Sequence, residues 1–73
     1  MDRKKVRVWV EFRYSVPYVV EVKNPKDLKE IKEALMEIGP EGWEVEPDFY
    51  ETFADRWEEE VESVEESDIE EIK

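Results

Sequence analysis

Two stretches near the start of the chain alternate between apolar and other residues with a period of two. Valine or phenylalanine occupies every second position from Val6 to Phe12, and the same kind of alternation returns from Val16 to Val22. A period of two with many β-branched residues is typical of strands that bury one face. Residues 13–17 predict the connection of an antiparallel hairpin, with Pro17 at the turn or on a sheet edge because proline lacks an N–H.

Residues 25–38 carry the signals of an amphipathic helix. Asn24 suits the N-cap, and Pro25 suits the first helical position, where a backbone N–H would have no partner within the helix. Gly39 is predicted to end the helix in the left-handed conformation, and Pro40 prevents its continuation. The apolar residues recur at spacings of three and four and so share one face: Leu28, Ile31, Leu35 and Ile38.

The second half of the chain predicts one more strand and one more helix. Residues 43–46 alternate between apolar and acidic side chains and predict a short third strand before Pro47. Apolar residues at spacings of four, four and three then predict a second helix over residues 53–66. Residues 67–73 include three acidic residues, which would oppose the negative end of this helix, so we expect an acidic, frayed tail.

Together these elements predict a single α+β domain over residues 1–66. An antiparallel three-stranded sheet, made of the N-terminal hairpin plus one strand, packs against one helix, and an acidic C-terminal helix follows in the order ββαβα. The predicted core consists of inward-facing residues of the sheet and the first helix, closed by three aromatic residues: Val6, Val8, Val10, Val20, Val22, Leu28, Ile31, Leu35, Ile38, Val45, Trp43, Phe53 and Trp57.

The turn after the first helix has a distinctive sequence. Residues 35–45 read Leu-Met-Glu-Ile-Gly-Pro-Glu-Gly-Trp-Glu-Val. This stretch resembles a small uncharacterised family of bacterial and archaeal domains, whose members end a helix with a Leu-x-x-Leu-Gly-x-Glu-Gly-Trp-Glu-Leu pattern and pass directly into a strand. The resemblance implies a compact antiparallel sheet with one helix. It implies no activity, because none is established for the family. Here Gly39 permits the cap, Gly42 permits a tight re-entry, and Trp43 can fold over the helix end.

The chain of 73 residues contains neither cysteine nor histidine. It therefore offers no disulfide, thiol nucleophile or imidazole base, and none of the usual zinc ligands. Catalysis by paired carboxylates requires a pocket, and a chain of this length has little volume for one. We therefore interpret the acidic residues of positions 44–55 as a solvated face. The Glu58–Glu60 run lacks the Gly-containing loop of an EF-hand. We expect no enzymatic activity, no cofactor and no specific metal site.

Charge is distributed very unevenly along the chain, whose net charge is −11. Residues 1–38 contain nine basic and seven acidic residues, whereas residues 39–73 contain two basic and fifteen acidic ones. We expect a small interaction or regulatory protein whose acidic half binds a basic protein partner. A narrower form of this hypothesis is that the acidic half mimics a nucleic acid. The alternative is charge that serves only solubility and thermostability. The expected contact set lies on and after the second helix: Asp55, Glu58, Glu59, Glu62, Glu65 and Glu66.

The N-terminal hairpin supports a second hypothesis. Its basic and aromatic side chains are of the kind that binds nucleic acids by charge and stacking: Lys5, Arg7, Trp9, Arg13 and Tyr14. The negative net charge opposes approach to a polyanion, and pairing with the acidic half is the simpler role for these cations. Trp9 and Val19, on the outer face of the hairpin, also favour a homodimer through this face or a sheet edge.

Composition also bears on the cellular setting. Much glutamate, lysine and valine, with no cysteine or glutamine and one asparagine, is typical of proteins from hyperthermophiles. It favours a cytoplasmic, thermophilic, archaeal protein over a designed sequence, because Pro17, Pro47 and the unbalanced charge are features that designs avoid. No apolar run approaches the length of a membrane span, so we expect no membrane association.

Overall fold

The computed structural model describes residues 2–12, 15–46 and 53–72 of the chain. Within these residues it contains three strands, two α-helices and one turn of 3-10 helix. In chain order they are β1 (Lys4–Glu11), β2 (Ser15–Val22), α1 (Leu28–Ile38), α2 (Phe53–Glu62), the 3-10 turn (Glu66–Asp68) and β3 (Ile69–Glu71).

The structure confirms the α+β class, with an antiparallel three-stranded sheet and two helices. The sheet order is β2-β1-β3, and both neighbouring pairs are antiparallel. The chain order is ββααβ, because the third strand follows the second helix instead of preceding it. β1 therefore lies in the centre of the sheet, with its hairpin partner on one side and the C-terminal strand on the other.

The core lies on one face of the sheet, beneath the two helices. The hairpin register pairs Val6 with Val20 and Val8 with Tyr18, so the alternating residues of both strands point to the same face. That shared face is buried, as the alternation predicted, and residues of both helices complete it. The buried set is Val6, Val8, Val10, Val16, Tyr18, Val20, Val22, Ile31, Leu35, Trp57, Val61 and Val64.

Some residues predicted for the core lie at its margin or outside it. Leu28 and Trp43 are half-buried, whereas Ile38 is 41% exposed. Ile38 is the last residue of α1, and its side chain covers Gly42 instead of the sheet. The predicted role of the Phe53 side chain lies outside what the structure describes.

Residues 43–46 do not form the predicted third strand. Trp43 makes a single antiparallel bridge to Tyr18, and the Glu44 N–H donates to the Pro17 carbonyl at 2.8 Å. The chain then leaves β2, and Val45 is 62% exposed. Although the sequence alternates here, Val45 is not buried, because half-buried Trp43 already packs against this part of the core.

The third strand forms instead from residues that we expected to fray. Residues 69–71 pair with residues 6–8 of β1, and the Ile72 N–H donates to the Lys5 carbonyl at 3.0 Å. The first residue of β3 is half-buried against the core, and the pairing satisfies backbone groups that β1 would otherwise expose. These gains outweigh the acidic composition, so residues 67–72 are ordered, and the prediction of a frayed tail is wrong for them.

The helix α1 begins later than predicted. Asp27, and not Asn24, is the N-cap, because its carboxylate accepts from the Glu30 N–H at 3.3 Å. The Asn24 side chain instead accepts from the Lys26 N–H in the preceding turn. Glu30 reaches back to the N–H groups of Lys23 (2.7 Å) and Asn24 (3.0 Å), and these donors lower the pKa of its carboxyl. Asp27 and Glu30 together satisfy more backbone donors than Asn24 does as a cap, which explains the later start.

The end of α1 confirms Gly39 as the C-cap but not its predicted conformation. Gly39 has φ 79° and ψ 174°, a region that is essentially restricted to glycine and is distinct from the left-handed helical one. Its N–H donates to the Leu35 carbonyl at 3.1 Å. Gly42 permits close approach, since a Cβ at that position would lie 3.0 Å from the Ile38 side chain. The two glycines thus bring the chain back to β2 at Trp43.

The buried phenol of Tyr18 predicts a loss of stability at alkaline pH. Its hydroxyl donates to the Pro40 carbonyl at 2.6 Å, and burial raises its pKa well above the ordinary value of 10.0. As the pH rises above that value, the unfolded chain loses this proton while the folded chain keeps it. The free energy of unfolding should then fall by up to about 1.4 kcal/mol per pH unit. Chemical denaturation across the alkaline range measures the slope.

The Tyr18→Phe variant serves as the control for this pH dependence. It should be less stable at neutral pH by about 1 kcal/mol, because the Pro40 carbonyl loses its donor. Its stability should also decline less steeply with alkaline pH than that of the unmodified chain. An equally steep decline in both proteins would contradict the role assigned to Tyr18.

Candidate functional site

The helix α2 has one buried side and one charged side. Trp57 and Val61 lie on the buried side, and Val64 extends it beyond the end of the helix. The Trp57 ring packs against the Tyr18 and Phe12 rings, with centroid distances of 4.9 Å and 6.3 Å. Because these contacts fix the rotation of α2 about its axis, its other side is held towards solvent.

The side of α2 that faces solvent carries the acidic residues predicted from the sequence. Residues 55, 58, 59 and 62 recur at helical spacing and share one face, and residues 65 and 66 follow after the helix. All six carry exposed side chains, and we call them the acidic surface: Asp55, Glu58, Glu59, Glu62, Glu65 and Glu66.

The acidic surface forms no ion pair with the cations that the structure describes. Among the residues that the structure describes, the ion pairs are those of Arg7 with Glu44 and Glu70, and of Arg56 with Glu60. The Arg56–Glu60 pair lies within α2 at 2.6 Å, yet it uses none of the six carboxylates. The six negative charges therefore remain directed outward.

One lysine of α1 approaches the acidic surface without forming an ion pair with it. Lys32 Nζ donates to the backbone carbonyl of Glu62 at 2.7 Å. This carbonyl lies at the C-terminal end of α2, where the unpaired acceptors and the helix dipole favour a cation. The Glu62 carboxylate is thus left exposed, and the contact holds α1 and α2 together.

Among the described residues considered for nucleic-acid binding, Arg7 is paired with carboxylates, whereas Lys5 and Trp9 are exposed. The Arg7 guanidinium donates two hydrogen bonds to the Glu44 carboxylate (Nε–Oε1 3.1 Å, Nη2–Oε2 3.2 Å) and one through Nη1 to Glu70 at 2.6 Å. Both contacts raise the pKa of the guanidinium, and Glu44 has the larger effect. Lys5 is exposed and Trp9 is 37% exposed. Two members of that set lie outside the described residues: Arg13 and Tyr14.

The described residues contain neither a cluster of metal-binding side chains nor a helix that could span a membrane. Ranges 2–12, 15–46 and 53–72 contain no group of three or more acidic side chains arranged to hold a metal ion. None of the helices in those ranges combines the length and apolarity that crossing a membrane requires.

No family model matches the chain, and searches among curated proteins and among solved structures find no significant match. The resemblance of residues 35–45 to a small domain family therefore stays a prediction.

Proposed function

We propose that this chain is a small, non-enzymatic interaction protein whose acidic surface binds a basic protein partner. The six exposed carboxylates that form no ion pair within the described residues carry the proposal. Carboxylates that served only to balance the chain's own cations would be paired with them. Here Arg7 and Arg56 pair with other carboxylates, those of Glu44, Glu70 and Glu60.

The acidic surface is also preorganised for a partner. Trp57, Val61 and Val64 anchor its underside in the core, and Lys32 ties the end of α2 to α1. A partner would therefore meet charges on a backbone that is already ordered, which reduces the entropic cost of association. Charges of one sign on such a surface accelerate encounter with a cationic partner and disfavour an anionic one.

Binding fits this surface better than catalysis does. A carboxyl group that acts as a general acid or base must be desolvated in a cleft and must differ in pKa from its neighbours. No charged side chain among the described residues is buried, and the acidic surface lies on the outside of a helix. Its carboxylates can attract a cationic partner from solution, and their solvation disfavours a role in proton transfer.

Neutralising the acidic surface should remove the basic partner. We expect a variant with Asn or Gln at all six positions to capture at least about tenfold less of the basic proteins that the unmodified chain retains from a native lysate. Quantitative mass spectrometry of the captured proteins measures the change. The retained proteins should also dissociate as salt is raised, because exposed charges are screened.

A matched control separates the acidic surface from net charge alone. A second variant replaces six exposed carboxylates elsewhere by their amides and has the same net charge: Asp2, Glu11, Glu33, Glu41, Glu46 and Glu71. This control should retain the captured proteins. Equal loss in both variants would contradict the proposal, since any acidic chain would then do as well.

The narrower hypothesis of nucleic-acid mimicry has its own test. If the acidic surface occupies a cleft that normally binds DNA, duplex DNA should displace the captured partner in proportion to its concentration. Titration of the chain alone with labelled DNA and RNA at low salt should show no binding. Salt-sensitive binding of nucleic acid to the isolated chain would instead support the hairpin hypothesis of Lys5 and Trp9.

A further inference from the structure

The outer face of the sheet, which points away from the two described helices, carries a symmetric set of side chains along β1. The side chains that alternate with the buried valines of this strand lie on the outer face: Lys5, Arg7, Trp9 and Glu11. Arg7 and Trp9 lie one position before and after Val8, and Lys5 and Glu11 lie three positions before and after it. Opposite charges therefore stand at equal distances from the centre of the strand.

The neighbouring strand β2 follows the same symmetry and supplies an apolar centre. Tyr18 lies opposite Val8 in the hairpin register, and Pro17 and Val19 precede and follow it on the outer face. Both are half-buried, and Pro17 lies opposite Trp9, which is 37% exposed. These three residues form an apolar patch near the middle of the outer face, between the two charges of β1.

The charges at the two ends of β1 are free to pair with another molecule. Lys5 and Glu11 are exposed, and neither forms an ion pair within the described residues. Lys5 lies opposite Glu21 in the hairpin register, but no salt bridge joins them. Glu11 accepts a hydrogen bond from the Ser15 hydroxyl at 3.1 Å, which leaves its negative charge in place.

We propose that the outer face of the sheet is a homodimer interface, on which a second copy of the chain packs its own outer face. The two-fold axis lies between the two sheets, perpendicular to β1 at the level of Val8, so that the two central strands run antiparallel. This symmetry places Lys5 of each copy beside Glu11 of the other, and Trp9 of each copy beside the Arg7 side chain of the other. A two-fold interface requires a surface that complements itself in this way.

The contacts across this interface suit the side chains that make them. Packed sheets lie about 10 Å apart, a gap that a lysine and a glutamate side chain together can span. Arg7 keeps its bonds to Glu44 and Glu70, and the flat face of its guanidinium can stack on the indole of Trp9.

The size of the outer face predicts a weak dimer. Strands of this length and spacing bury roughly 1,000 Å² in total when two such faces meet, which lies at the small end of specific interfaces. We therefore expect a dissociation constant on the order of 100 μM. The acidic surface lies on the far side of each copy, with both sheets between the two sets of charges. Their repulsion is screened at about 0.15 M salt, where the Debye length is about 8 Å.

Exchanging the two charges tests the two-fold geometry by sedimentation equilibrium at about 0.15 M salt. The apparent mass of the unmodified chain should rise with concentration from 8.9 kDa towards twice that value. Lys5→Glu and Glu11→Lys should each weaken association by about tenfold or more, because like charges then meet at both ends of the interface. An equimolar mixture of these two variants should restore association, since the two copies then complement each other. The double variant should restore it as well.

The same variants separate this interface from an effect of net charge. Glu11→Lys makes the chain less acidic, so an association limited by net charge would become stronger in this variant. The proposal would be overturned by a chain that stays at 8.9 kDa up to about 1 mM, by a Glu11→Lys variant that associates as well as the unmodified chain, or by a mixture that stays monomeric.

Two exposed apolar residues on opposite sides of the molecule give a matched comparison for the apolar patch. Trp9 is 37% exposed on the outer face, and Met36 is 42% exposed on α1. Trp9→Thr should weaken association by about tenfold or more, whereas Met36→Gln should leave it unchanged, and each new residue suits its own strand or helix. Thermal melts establish that both variants are folded. Equal effects of the two substitutions on association would overturn the proposal.

Discussion

Deleting residues 67–73 is expected to lower the free energy of unfolding by about 3 kcal/mol, through lost backbone hydrogen bonds at about 1 kcal/mol each and a lost apolar contact of similar size. The deletion removes β3, which pairs with residues 6–8, and the half-buried side chain of Ile69. It also exposes the central strand β1 as an edge. For a domain of this size the loss corresponds to a melting temperature lower by roughly 10–25 °C.

Thermal melts and urea denaturation of the truncated chain measure this effect. A full-length control with Glu66→Gln and Glu71→Gln removes two negative charges, one next to the deleted segment and one within it, but keeps the strand. Its stability should stay within about 0.5 kcal/mol of the unmodified chain, because both side chains are exposed. A truncated chain that melts together with the full one would show that β3 does not hold the sheet.

Replacing Gly39 by valine is expected to destabilise the fold by about 2 kcal/mol, since a side chain is strained at such backbone angles. Gly39 has φ 79° and ψ 174° at the end of α1. A Cβ at this position would meet no atom within 4 Å. The cost therefore comes from the backbone conformation of the residue and not from a steric clash with its surroundings. Denaturation with urea measures the difference.

D-alanine at position 39 is the matched control, because chemical synthesis can place it in a chain of this length. For a D-residue the angles of Gly39 fall in the mirror image of the extended region, which is freely accessible. The D-alanine protein should be at least as stable as the glycine protein, whereas L-alanine at position 39 should be destabilising. Equal stability of the D- and L-alanine proteins would contradict the conformation assigned to Gly39.

Much of the fold follows from periodicities that are local in the sequence. The alternation from Val6 to Val22 and the stripe of Ile31 and Leu35 predict the hairpin and α1, because each pattern identifies a face that must be buried. The third strand depends on a choice between distant segments. Val45 and Ile69 both lie among acidic residues after the hairpin, so the local pattern does not show which segment forms the third strand. The segment of Ile69 does so because it pairs with the free edge of β1 and packs against the core.

The position of the acidic surface could be predicted from the sequence, but its lack of ion pairs with the described cations could not. The spacing of Trp57, Val61 and Val64 identifies the buried side of α2 and hence its exposed side. Whether the carboxylates are free depends on where the cations lie. Arg7 pairs with Glu44 and with Glu70, which is 63 positions away in the chain. No local sequence pattern near either carboxylate predicts these ion pairs.

The most direct test of the outward-facing acidic surface is an NMR titration of the isotope-labelled chain with a basic protein that it captures from a lysate. We predict that the largest amide shift changes fall within residues 55–66 and that they vanish at high salt, as exposed charges are screened. Changes centred instead on Lys5, Arg7 and Trp9, or changes that persist at high salt, would contradict a function based on the unpaired carboxylates of α2.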